Sequence, residues 1–137
     1  MKTNEAYVYF AFYGEDFDPD ALTQFLGIEP TDAWKKGTKM PEHGLPKADQ
    51  WRFSSEKMVS EFIDIYDISS QLIAQLKPKT PLIIEAKSRF NIKPYLQVVL
   101  WISMNEEHSM PVIGFEADVI EFLGQVGASL DIDSYKH

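Results

Sequence analysis

The residues able to do chemistry in this chain are few, and their spacing limits what each could do. His43, His108 and His137 stand far apart, so none pairs with a second imidazole or a thiolate at a metal-binding spacing. They read as solvated loop or terminal side chains. The glycines form neither G-x-G-x-x-G nor the P-loop pattern that cradles phosphates, and no G-x-S-x-G turn or Ser-His pair marks a nucleophile. No catalytic residue, metal ligand or cofactor is therefore assigned.

Asp131 and Asp133 stand two apart in a stretch that alternates with Leu130 and Ile132. On a strand the two carboxylates would share one face, where they could meet a cation or transfer a proton. The same alternation also suits a half-buried strand with a solvated acidic side. Trp34, Lys35, Lys36 and Gly37 place a large aromatic beside two cations in an acidic neighbourhood. Either that loop carries binding function or the Trp34 ring folds back to seal the sheet edge. Glu116, Asp118 and Glu121 need no binding role, because they fall where a helix dipole favours negative charge.

The elements that must position these residues follow from periodicity. Residues 6–13 are aromatic and β-branched up to Gly14, a strand apolar on both sides. Asp18-Pro19 opens a helix carrying Leu22, Phe25 and Leu26 and closing at Gly27. Residues 28–50, broken by Pro30, Gly37, Pro41, Gly44 and Pro46, form a long irregular loop. Residues 51–54 alternate as a strand. Ser55 and Glu56 resemble a cap for a long helix carrying Val59, Phe62, Ile63, Tyr66, Ile73 and Leu76. Lys77-Pro78 ends it, and Leu82-Ile83-Ile84 predicts a strand running towards Phe90. A turn at 91–94 then leads into a strand at 95–102. Residues 115–126 predict a third helix, and residues 128–135 a last strand. Trp51 and Trp101, lying in strand signals, are assigned to core packing.

The expected architecture is a single α+β domain over residues 1–137 with the order β-α-β-α-β-β-α-β. It is a mainly antiparallel sheet with helices on one face and a ferredoxin-like split βαβ in its C-terminal part. At 137 residues such a fold buries enough surface to stand without staples, which suits a chain with no cysteine. The first residues lack the apolar core of a signal peptide and no apolar run reaches a membrane span, so the expected setting is the cytoplasm. With 21 acidic against 13 basic residues the formal charge is −8. That balance opposes binding to nucleic acid and favours a basic partner. It sets no oligomeric state.

The segments Phe17-Asp18-Pro19-Asp20, Gly27-Ile28-Glu29-Pro30-Thr31, Trp34-Lys35-Lys36-Gly37 and the ending Asp131-Ile132-Asp133-Ser134-Tyr135, with Trp51 between, resemble the bacterial domain-of-unknown-function 4279 family. The likeness spans nearly the whole chain and implies a small stand-alone protein, but no activity. Trp34, Gly37 and Asp133 transfer as motif members without a role. Two functional classes follow. The first is a non-catalytic protein-binding module, of the immunity type, directed at a basic partner. The second is a small-ligand-binding protein or enzyme with a cleft at the loop 28–50.

Overall fold

The computed structural model describes residues 2–35 and 49–137. Its first strand, β1 (Asn4–Gly14), runs through the middle of a six-stranded sheet. The helix α1 (Pro19–Leu26) follows, with the Asp18 side chain accepting from the Asp20 amide at 3.0 Å and Gly27, at φ 71°, closing the C-terminus. These are the signals read from Asp18-Pro19 and Gly27. Next come β2 (Asp32–Trp34), β3 (Asp49–Ser54) and β4 (Met58–Ser60), then α2 (Ile65–Leu76), α3 (Thr80–Phe90), β5 (Lys93–Ile102), α4 (Ala117–Val126) and β6 (Ser129–Lys136).

The strands lie in the order β2-β3-β1-β5-β6, and β4 continues the line of β3 by pairing with Asn4, Glu5 and Ala6 of β1. Every pairing is antiparallel except that of β5 with β6, which α4 joins as a crossover. The chain is thus α+β with a mostly antiparallel sheet. Ala6, Val8, Phe10 and Phe12 of β1, Trp51 of β3 and Leu96, Val98 and Leu100 of β5 share one face. They pack with Leu22, Leu26, Ile65, Leu72, Ile83, Val119 and Phe122 of the helices into one core.

Two expectations about the middle of the chain are corrected. Residues 82–90 form α3, not a strand, so no hairpin precedes β5. Pro81 stands in the first turn of α3, where its missing N–H costs nothing. Ile83 and Ala86 are buried while Ile84 is 46% exposed, a three-residue repeat instead of a two-residue one. Asn91, at φ 52°, then terminates the helix. Without that strand the order differs from β-α-β-α-β-β-α-β, and β5 and β6 are direct neighbours, so their βαβ unit is not split.

The long helix also begins later than its apolar residues suggested. Asp64 caps it by accepting from the Tyr66 amide, and Val59 and Phe62 stay exposed in and after β4. A short 3₁₀ turn at Lys77–Lys79 carries α2 directly into α3. Among the described residues no helix is long and apolar enough to cross a membrane.

Candidate functional site

Strand alternation sends every second residue to the face opposite the helices. β1 contributes Tyr7, Tyr9, Ala11 and Tyr13 there, β3 contributes Gln50 and Arg52, and β5 contributes Tyr95, Gln97, Val99 and Trp101. Tyr9, Ala11 and Val99 are buried in a second small cluster with Tyr7, Tyr95 and Trp101, built from β1 and β5 without any helix residue. Trp101 therefore belongs to this face and not to the helix-covered core assigned to it from its strand signal.

The rings form a connected lattice. Tyr7 stacks on Tyr9 and on Trp101 at 6.0 Å each, Trp101 stacks on Tyr135 of β6 at 5.9 Å, and Tyr95 meets Tyr9 edge-on at 5.9 Å and Tyr13 at 5.7 Å. Two cations lie over its rings. The Arg52 guanidinium lies 4.1 Å from the Tyr9 ring and 4.8 Å from that of Trp34, and the Lys57 ammonium lies 4.5 Å from the Trp101 ring while pairing with Glu5 at 2.9 Å. The hydrogen bond from Lys57 holds the Glu5 carboxyl below its ordinary pKa. Burial pushes the Tyr9 phenol well above its ordinary value, so it stays a neutral hydroxyl at physiological pH.

The residues singled out from sequence fall into four groups. Trp34 is buried at 7% exposure on β2, on the aromatic face. Beside it Lys35 turns to its own protein: its ammonium donates to the Phe17 carbonyl at 2.8 Å and approaches Asp49 at 3.5 Å and Asp16 at 3.8 Å. Asp49 is itself buried and accepts the Phe17 amide, so Lys35 helps fasten the turn after β1. Lys36 and Gly37, with His43, lie outside the described residues; the stretch 28–50 expected as an irregular loop instead contains β2, and its last two residues already belong to β3, because pairing with β3 and β1 supplies their hydrogen bonds.

Asp131 and Asp133 do share a face of β6, as their spacing predicts. They sit opposite Gln97 and Val99 and are exposed. That is the face of Trp34, but at the other end of the sheet. Four strand spacings separate β2 from β6, about 19 Å. A macromolecular surface can span Trp34 and the acid pair at once. Locally, Asp131 borders a depression of about 250 Å³ with Tyr13, Gln50, Tyr95, Gln97 and Ser129, in which Gln50 Nε2 donates to the Tyr95 hydroxyl at 2.8 Å. Near Trp34 a second depression, about 260 Å³, is lined by Asp18, Pro19, Asp20, Ala33 and Lys35.

One constellation escaped the sequence reading. His108 is not a solvated loop histidine: its side chain is 11% exposed, with Nδ1 2.7 Å from Ser103 Oγ and Nε2 3.1 Å from the Glu61 carboxylate. A serine, an imidazole and a carboxylate in series have the makeup of an activated nucleophile. The surroundings argue for a brace instead. Ser103 Oγ already accepts the Asn105 amide, the Ser103 amide donates to Asn4 Oδ1 at 2.7 Å, and the Met104 amide donates to the His137 carbonyl. The amides that could steady an oxyanion beside Ser103 are thus committed. Buried Asn4 completes the brace by donating to the carbonyls of Glu61 and Ser109. Glu61 lies 42 residues from Ser103, so no short motif announced the group.

Residues 4–137 match the model of the family described as "Domain of unknown function (DUF4279)", and the chain belongs to that family. No curated protein and no solved structure matches it.

Proposed function

We propose that this member of the family is a non-catalytic protein-binding module that acts in the cytoplasm on a basic protein, in the manner of an immunity protein. The observation that carries the reading is the state of Asp131 and Asp133. Both carboxylates are exposed, and no cation of the described residues lies within ion-pair distance of either. Glu5, by contrast, is paired with Lys57. With a net charge of −8, the surface adds a long-range field that draws a cationic partner and repels nucleic acid.

A small-ligand site at the loop 28–50 is the alternative. Its support among the described residues is the depression of about 260 Å³ beside Trp34, which falls below the roughly 300 to 1,000 Å³ usual for ligand pockets. The distance between Trp34 and the acid pair further favours a large partner.

The test is capture of partners by the tagged full chain, followed by association kinetics with each purified partner. The expected partner is a basic protein whose association slows by tenfold or more between low and physiological salt, and slows equally when Asp131 and Asp133 are replaced by lysine. An association rate indifferent to salt and to both substitutions overturns the reading.

A further inference from the structure

We propose that the outer edge of β6 receives an extended, cationic segment of the partner as a seventh strand of the sheet, a mode that rests on the basic-partner reading above. β6 ends the strand order, and among the described residues its only strand partner is β5. All eight of its residues are exposed. A free edge presents a row of unpaired backbone donors and acceptors, and extended peptides bind such rows by adding a strand.

The side chains state what the added strand should carry. Towards the aromatic face β6 presents Asp131, Asp133 and Tyr135, two unpaired carboxylates and a ring 51% exposed that stacks on Trp101. Each favours a cation, the acids by charge and the ring by its π-face. Towards the helix side it presents Leu130 and Ile132, 43% and 40% exposed. An incoming strand fits when lysine or arginine alternates with an apolar residue. A second copy of this chain fits less well, because two β6 edges paired antiparallel about Ile132 would set Asp131 of each copy against Asp133 of the other, and like charges across strands destabilise the pairing.

The test titrates the full chain with a six-residue peptide alternating lysine and valine, and with the same peptide N-methylated at every amide. Methylation keeps the charge and removes every backbone donor. Strand addition requires binding by the first peptide, at least tenfold weaker binding by the second, slowed hydrogen exchange in β6, and loss of binding in D131K/D133K. Equal binding of both peptides overturns strand addition and leaves the electrostatic reading standing. Binding by neither peptide, even at low salt, overturns strand addition and removes the acid pair's support for that reading. Self-association of the chain through β6, seen as concentration-dependent protection of that strand without peptide, also overturns the assignment of the edge to a basic partner.

Discussion

The two faces of the sheet use similar rings to opposite ends. On the helix side Phe10, Phe12 and Trp51 are completely buried, meet at 5.4 to 5.6 Å, and are sealed by four helices whose apolar stripes close over them. On the other side Tyr7, Tyr9, Tyr95 and Trp101 form a connected series, yet tyrosine replaces phenylalanine, and Arg52 lies over Tyr9 and Lys57 over Trp101. The hydrocarbon face needs only shape complementarity to exclude water. The amphipathic face keeps polar handles, so it can be contacted from outside without exposing bare hydrocarbon.

The sharpest way to separate the faces is by their tryptophans. Trp51→Ala is expected to destabilise the fold by about 4 kcal/mol, since a fully buried ring leaves a cavity and its indole N–H loses the bond to Thr23 Oγ1. Trp101→Ala, which removes two ring stacks and one cation contact at a half-buried site, is expected to cost about 2 kcal/mol. Urea denaturation measures both, and a reversed ranking would break the comparison.

A smaller effect probes the handle at Lys57. Lys57→Met should lower stability at neutral pH by under about 1 kcal/mol, as exposed ion pairs do. Because Lys57 lowers the folded pKa of Glu5, this contribution is complete above the ordinary carboxylate range and is lost as pH falls through the lowered value. The stability gap between wild type and variant should therefore narrow from pH 7 to about pH 3. A constant gap would mean that Lys57 acts through its contact with Trp101 alone.

The smallest expected change is at β6. Asp131→Asn with Asp133→Asn should leave stability within about 0.5 kcal/mol, because among the described residues neither carboxylate has an internal partner. A loss beyond about 1 kcal/mol in thermal or chemical unfolding would show that these acids serve the fold and not a partner.

Much of this arrangement was legible before the structure. β1, β5, β6, α1 and α4 carry long or well-capped signals, and the shared face of Asp131 and Asp133 follows from the two-residue period alone. What could not be read depends on pairing. β1 and β5 are apolar on both sides, so nothing local says whether Trp101 joins the helices or the tyrosines. β2 and β4 are three residues each and exist only because β3 and β1 supply their hydrogen bonds. At Leu82-Ile83-Ile84, β propensity was outweighed by the burial of Ile83 with Ala86 and by Pro81 at a helix start. The structural role of Lys35 is not legible in sequence, because nothing nearby announces buried Asp49 as its neighbour.

The position of β1 also bears on the order in which the molecule assembles. β1 precedes all the other elements, yet its longest partner, β5, pairs Trp101 with Glu5 across 96 intervening steps of chain. During synthesis its rings must wait, first for β3 and then for β5, before both edges are occupied. Closing so long a loop is entropically slow, which places the rate of folding in the milliseconds-to-seconds range of sheets built from distant strands. Until then Tyr7 to Tyr13 is an unpaired aromatic strand, the segment of this chain most in need of protection from its neighbours on a crowded ribosome.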